Sequence, residues 1–218
     1  MSTDRGVFLA VEGVEGVGKT TAIGMLEALL ADRGIETLRT REPGGTPLAE
    51  AIRGLVLGAG AEEPVTDTTE LLLMFAARAQ SVAHVIRPAL EHGQWVLCDR
   101  FTDATLAYQG HARGLPLRRI YELAEWVHGD LWPHTTLLLT ARAETVAARL
   151  ADRAGGPDRI EREPGSFFER AEQGYLALAA SDPKRYRVVS TDGSLEALRA
   201  DLARLVDELM APQDSETT

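Results

Sequence analysis

Residues 13–20 read Gly13-Val14-Glu15-Gly16-Val17-Gly18-Lys19-Thr20, which fits the G-x-x-x-x-G-K-[ST] pattern of a phosphate-cradling loop. Each residue type has a physical reason to be there. Glycine lets the backbone curl so that successive N–H groups point at phosphate oxygens. A helix N-terminus just beyond adds partial positive charge. Lys19 brings a point charge to the β and γ phosphates, and Thr20 offers a hydroxyl to Mg2+. The chemistry this predicts is ATP binding and phosphoryl transfer. The bland alternative is a glycine-rich turn that matches by chance, and the flanking sequence argues against it. Val7, Phe8, Leu9, Ala10 and Val11 read as a buried parallel strand before the loop. After it, Ile23, Leu26, Leu29 and Leu30 recur at helical spacing up to a stop at Gly34.

Phosphoryl transfer needs an acceptor, and side chains at other predicted strand ends and loops suit one that carries a phosphate. These are Arg41, the pair Asp99 and Arg100, and Arg149, Arg153, Arg159 and Arg162 around Gly155. Any single arginine is ordinarily a solvated charge. Several at the P-loop end of one sheet would present planar forks to phosphate oxygens. Glu12 and Glu15 stand at the same end. A carboxylate beside a triphosphate is repulsive unless it faces a hydroxyl or a metal ion, so Glu15 is expected to meet a sugar hydroxyl or to reach Mg2+ through water. Phe75 and Arg78 lie three residues apart and can share a helix face. Phe75 reads either as plain core or, with Arg78, as an aromatic plate and donor for a nucleobase.

The elements that must position these residues follow from pattern. A chain of 218 residues suits one domain, able to bury about 70% of its unfolded surface. Hydrophobic content of 44% and charged content of 26% are ordinary for a globular protein. A net charge of −10 argues against nucleic-acid binding, which wants a basic face. It leaves room for a few arginines around one nucleotide. The single cysteine, Cys98, permits no intrachain disulfide and reads as a buried core thiol. No apolar run approaches a membrane span, and the first residues do not read as a signal peptide, so a reducing, cytoplasmic setting is expected. Strands are predicted at residues 7–11, 35–40, 95–98, 135–139 and 186–189. Helices are predicted at 21–33, 47–57, 69–87, 116–127, 143–153, 167–180 and 194–210, with Thr46, Asp67 or Thr68, and Ser194 as caps. The polar stretch around 105–110 reads as a helix-loop, and the five histidines as scattered surface residues. Alternation of strand and helix predicts an α/β architecture, a parallel sheet wrapped on both faces. Asp99 and Arg100 then fall at the carboxyl end of a strand, where open α/β sheets bind ligands.

With these residues in place, the chain resembles the thymidylate kinase family, the nucleoside monophosphate kinases that phosphorylate dTMP. The markers are Glu12 and the P-loop through Thr21, then Thr40-Arg41-Glu42-Pro43-Gly44-Gly45-Thr46. Further on come Phe75-Ala76-Ala77-Arg78-Ala79-Gln80, Asp99-Arg100-Phe101, Ala107-Tyr108-Gln109-Gly110 and Asp158-Arg159-Ile160-Glu161. The P-loop alone is shared by many folds, whereas the Arg-Glu-Pro-Gly-Gly-Thr loop in this order with the rest is specific. The likeness spans nearly the whole chain.

The resemblance implies a three-layer P-loop kinase fold with a five-stranded parallel sheet, a single domain over 1–211 with a lid near 153–166, and a flexible tail at 212–218. It implies ATP and dTMP as partners, Mg2+ as cofactor, and a homodimer. By position, Glu15 holds the 3′-hydroxyl of dTMP, Arg41 and Arg100 grip its 5′-phosphate, Phe75 stacks on thymine, and Arg78 donates to O4. Thr105 meets N3, and Tyr108 crowds the sugar C2′. Residues 13–21, among them Thr21, and Arg149 hold ATP. Asp99 acts near Mg2+, with Thr20 as the other ligand. No arginine lies between Gly13 and Lys19, so the loop resembles the bacterial variant in which a lid arginine closes on the phosphates, with Arg153 or Arg159 in that role. Phe101 stands where the family often has Tyr or His. Two other readings compete. One is a P-loop kinase for another nucleoside or nucleotide, against which Phe75, Arg78 and Tyr108 argue. The other is a regulatory P-loop switch, for which a guanine-reading Asn-Lys-x-Asp motif would be wanted and does not occur.

Overall fold

The computed structural model describes residues 6–58, 63–151, 156 and 158–211. Five parallel strands form one sheet in the order β2-β3-β1-β4-β5. They are β1 (Phe8–Glu12), β2 (Thr37–Arg41), β3 (Trp95–Asp99), β4 (Thr135–Thr140) and β5 (Tyr186–Ser190). The central strand β1 is buried along its whole length. Its register sets Leu9 beside Leu97 and Val11 beside Leu137. Alternation along a strand sends successive side chains to opposite faces. Leu9 and Val11 accordingly join the larger apolar core, while Phe8 and Ala10 join a second one with Val96, Cys98 and Phe101. Helices cover both faces, and the chain departs to opposite sides from β1. This makes the carboxyl ends of β1, β3 and β4 the switch point where a ligand crevice opens.

The helices are α1 (Lys19–Ala31), α2 (Pro47–Leu57), α3 (Asp67–Ser81), α4 (Arg87–Glu91), α5 (Thr102–Thr105), α6 (Leu117–Val127), α7 (Ala143–Ala151), α8 (Gly165–Ser181) and α9 (Leu195–Met210). Four departures from the sequence pattern have physical reasons. Helix α1 starts two residues early because Gly18, at φ 94°, releases the chain directly from the loop into the first helical turn. Strand β2 starts late because Ile35 is still tied by its N–H to the carbonyl of Leu30 beyond the stop at Gly34. Thr66, rather than Asp67 or Thr68, caps α3 by accepting from the N–H of Thr69, which leaves Asp67 in the first turn where a carboxylate suits the helix dipole. The helical course then runs past Pro88, because a π-helical turn at Val82–Ile86 shifts the hydrogen-bond register before the proline. Thr46 and Ser194 cap α2 and α9 as expected.

The stretch from α5 through a π-helical segment, Leu106–Ala112, is helical and buried almost throughout. It packs against α8. One histidine needs correction, His128; His84, His92 and His134 are exposed as expected. His128 is 2% exposed, shares a hydrogen bond with Thr102 Oγ1 at 2.8 Å, and has its ring against Phe101 and Trp132. His134 Nδ1 accepts from the N–H of Phe8. Among the described residues no helix is long and apolar enough to cross a membrane.

Candidate active site

The loop between β1 and α1 has the backbone that phosphate wrapping requires. Gly13 sits at φ 134°, and a Cβ there would lie 2.5 Å from the carbonyl oxygen of Leu139. Only glycine fits. Lys19 folds back and donates to the carbonyls of Gly13 and Val14, both at 3.0 Å. Burial, then repulsion by Arg100, brings its pKa down to about 8. An incoming polyphosphate would take the place of those carbonyls and, as an anion beside it, raise the pKa of the ammonium again. Thr20 lines an open cleft together with Arg41 and Asp99. One carboxylate oxygen of Asp99, Oδ1, is buried with no protein partner. An orphaned acceptor lining the same cleft as the first-turn threonine of the P-loop helix supplies the oxygen ligands a hard cation takes, so Thr20 and Asp99 fit Mg2+.

Arg149 does not point into open space. Its Nη1 donates to Thr191 Oγ1 and to the carbonyl of Gly16, and its Nη2 donates to the carbonyl of Thr191 at 2.7 Å. Thr191 Oγ1 in turn donates to the carbonyl of Val17. The loop after β5 and the P-loop are thereby stitched together. Thr191 carried no signal in the sequence.

Behind β3 the chain turns sharply. Arg100 has φ 71°, the one side-chain-bearing residue in the left-handed region among those described. That conformation is costly for such a residue and is held by its surroundings. Its N–H donates to the carbonyl of Val11, and Cys98 Sγ, the buried thiol, donates to its carbonyl. The turn swings the guanidinium over the P-loop. Nη2 donates to Glu15 Oε1 at 2.6 Å and to the phenol of Tyr108 at 3.3 Å, and Nη1 donates to the phenol of Tyr175 at 3.0 Å. Tyr108 donates to Glu15 Oε2 at 2.6 Å. Burial opposes ionisation of Glu15, but Arg100 and Lys19 outweigh it and hold the carboxyl below the usual range.

Glu15, Arg100 and Tyr108 face one cavity, which is also lined by Glu42, Arg53, Met74, Gln109 and Asp158. Arg53 carried no sequence signal, since an arginine on a helix reads as surface. It donates to the carbonyl of Pro43 at 3.0 Å. Burial, then the charge of Arg41, lowers its pKa below the ordinary guanidinium range, although Glu50, Asp99 and Asp158 act in the opposite sense. Arg41 itself turns to the other cleft, paired with Glu50 at 2.9 Å and more than half exposed. It does not join Arg100.

Arg78 is fully buried. Its Nε donates to Glu42 Oε2 at 2.6 Å, its Nη2 to the carbonyl of Phe101 and to Thr105 Oγ1, and its Nη1 has no protein partner. The guanidinium carbon lies 4.8 Å from the centre of the Phe75 ring. Sharing a helix face brings Phe75 and Arg78 together as the spacing implied. The Thr105 oxygen accepts from Arg78, whereas Gln109 Oε1 is buried without a protein partner. The family resemblance implies an N3 partner at Thr105; an acceptor without a protein partner lies four residues on, at Gln109.

Of the two lid candidates, Arg153 lies outside the described residues. Arg159 does not reach the P-loop. Its Nε donates to the carbonyl of Val56, its N–H to the carbonyl of Leu57, and its Nη2 to Glu70 Oε2.

The family model for thymidylate kinase matches residues 11–202 of this chain. The chain is 52% identical to the thymidylate kinase of Chromohalobacter salexigens over 94% of its own length and 97% of that protein's. It is 50% identical to the thymidylate kinase of Pseudomonas syringae pv. tomato over 95% of this chain and 98% of that one. The crystal structure of thymidylate kinase from Ehrlichia chaffeensis superposes with a TM-score of 0.74 at 28% identity, covering 93% of this chain and 99% of that one. Family model and relatives agree, and the chain belongs to the thymidylate kinase family.

Proposed function

We propose that this enzyme transfers the γ-phosphoryl group of ATP to the 5′-phosphate of dTMP, giving dTDP and ADP. The observation that carries this reading is the cavity beside the P-loop in which Arg53, Arg100, Glu15, Tyr108 and Gln109 meet. It offers two cations for a phosphate, a carboxylate for a sugar hydroxyl, and a buried acceptor for a base. Arg53 and Arg100 take the 5′-phosphate, Glu15 the 3′-hydroxyl, and the Tyr108 ring the space at C2′. Arg78 Nη1 donates to thymine O4, Gln109 Oε1 accepts from N3–H, and Phe75 backs the base. The P-loop with Thr21 and Arg149 holds ATP, and Lys19 balances charge on its β and γ phosphates. Thr20 and Asp99 would hold Mg2+, which neutralises charge shared between those phosphates. The attacking oxygen is already ionised, so no general base is needed.

A coupled ADP-release assay with dTMP, dUMP, dCMP and dGMP tests this. Turnover highest with dTMP is expected. No ADP above background with dTMP would overturn it. Two further parts of the reading are a cytoplasmic setting and a homodimer. The dimer is supported by exposed apolar side chains on neighbouring helices: Leu48 and Leu55 on α2, Leu72 on α3, and Trp126 on α6.

A further inference from the structure

Gln109 is 1% exposed and spans two environments. Its Nε2 donates to Glu70 Oε1 at 2.8 Å, while its Oε1 is buried without a partner in a residue that lines the acceptor cavity. The two ends of an amide are nearly the same size, and turning it over exchanges an acceptor for a donor. A glutamine facing a base therefore has no inherent preference between an N–H and a lone pair. Something must choose.

Glu70 can choose, because it offers only acceptors when ionised. It sits on α3, 1% exposed, surrounded by donors. Arg113 donates to both of its oxygens at 3.0 Å, Arg159 donates to Oε2, and Gln109 donates to Oε1. Burial opposes its ionisation, but the hydrogen bonds from Arg113, Arg159 and Gln109 hold its carboxyl below the usual range. A turned Gln109 would set its carbonyl oxygen against a carboxylate oxygen with no proton between them. Such a pairing loses a charge-assisted hydrogen bond and leaves two buried acceptors opposed.

We infer that Glu70 is a positioning residue that sets base selectivity by fixing the Gln109 amide with its carbonyl toward the base. The inference rests on the reading of this cavity as the dTMP site. Thymine carries an N–H at N3 and cytosine a lone pair, so a fixed carbonyl suits the first and repels the second. Glu70 touches neither. The two arginines have a part in this as well. They are what keeps a carboxylate ionised beneath a base, so that its neighbour's amide cannot turn.

The test compares kcat/KM for dTMP and dCMP in the parent, Glu70→Gln, Glu70→Asp, Gln109→Met and the double variant Glu70→Gln/Gln109→Met. Glu70→Gln keeps the shape but can accept either end of Gln109. Glu70→Asp keeps the charge for Arg113 and Arg159 but withdraws it from Gln109, and it decides the matter if the glutamine variant fails to fold. The dTMP-to-dCMP ratio is expected to fall about tenfold in both Glu70 variants, a cautious value for one mismatched buried hydrogen bond. It is expected to fall similarly in Gln109→Met, and no further in the double variant than in Gln109→Met alone. Glu70 variants that lose activity on both acceptors alike, with the ratio kept, would overturn the inference and leave Glu70 a scaffold. Failure of the parent to use dTMP at all would instead sink the functional reading, so the two failures are distinguishable.

Discussion

Glu12 ends β1 fully buried, with Oε1 accepting from the N–H of Phe101 at 2.6 Å and Oε2 from the phenol of Tyr175 at 2.7 Å. The same phenol accepts from Arg100, so one carboxylate holds both sides of the strained turn that aims the arginine. Burial, then the charge of Asp103, raises the Glu12 pKa from 4.5 to about 7. Between those values the folded chain keeps a proton that the unfolded chain has lost. Glu12 therefore favours the fold most at low pH, and its contribution is lost as pH rises through 7. At about 1.4 kcal/mol per pH unit, the window amounts to about 3 kcal/mol. Urea denaturation at pH 5 and pH 8 should show the parent losing up to that much stability relative to Glu12→Gln. Parallel pH dependences would refute it. A second expectation separates two arginines. Arg53→Ala should raise the dTMP KM at least about tenfold, the range for a charged hydrogen bond, while Arg41→Ala, paired outward with Glu50, should change it less than about threefold. Steady-state kinetics on both variants decides this, and the reverse order would restore the sequence assignment. The P-loop was legible because its chemistry is written in consecutive residues. Arg53, Glu70 and Gln109 were not read as site residues, because their roles depend on which helix faces which.

At the scale of elements, the strands and most helices were legible from period, since a two-sided sheet writes short apolar runs and its helices write apolar stripes. The stretch from α5 to Ala112 was the exception. Thr102, Asp103, Thr105 and Gln109 are buried there, each answered by a partner on another element. Polar residues read as loop until those partners are known, and sites are where such rules break. That helical stretch lies so close to α8 that a Cβ on Gly174 would meet His111 Cβ at 2.7 Å. Tyr108 comes from one element and Tyr175 from the other, and both phenols touch Arg100. Gly174→Ala should cost about 1–3 kcal/mol by overpacking and raise the dTMP KM as the phenols part. On α1, a methyl group added at Gly24 would have nothing within 4 Å, so Gly24→Ala should stabilise by about 0.5–1 kcal/mol. Thermal melts and dTMP kinetics on the two variants check this. Equal melting temperatures would mean that the helices do not meet through Gly174.

At the scale of the molecule, the chain carries a net charge of −10, while the acceptor cavity gathers Arg53 and Arg100. An anionic protein that binds anions needs cations gathered where the anion sits, and α2 and α3 form part of the wall around them. Their inner sides carry Arg53, Met74, Phe75 and Arg78. Their outer sides carry Leu48, Leu55 and Leu72, each more than half exposed, and on α6 Trp126 is 84% exposed. Leu48 and Leu55 are seven residues apart and so share one face of α2. Apolar groups exposed on adjoining helices mark an association surface, and self-association in a closed pair is its commonest form. The dimer proposal therefore has a consequence for catalysis, because the helices it would clamp are those that hold the acceptor. Light scattering coupled to size exclusion should give a mass near twice 23.6 kDa for the parent. The double variant Leu55→Glu/Leu72→Glu should run as a monomer and keep its ATP KM, since the P-loop stands on β1 and α1. Its dTMP KM should rise about tenfold if clamping α2 and α3 is worth about 1.4 kcal/mol of acceptor binding. A parent that runs as a monomer at micromolar concentration would sink the dimer. A monomeric variant with unchanged dTMP KM would keep the dimer and remove its link to the acceptor site.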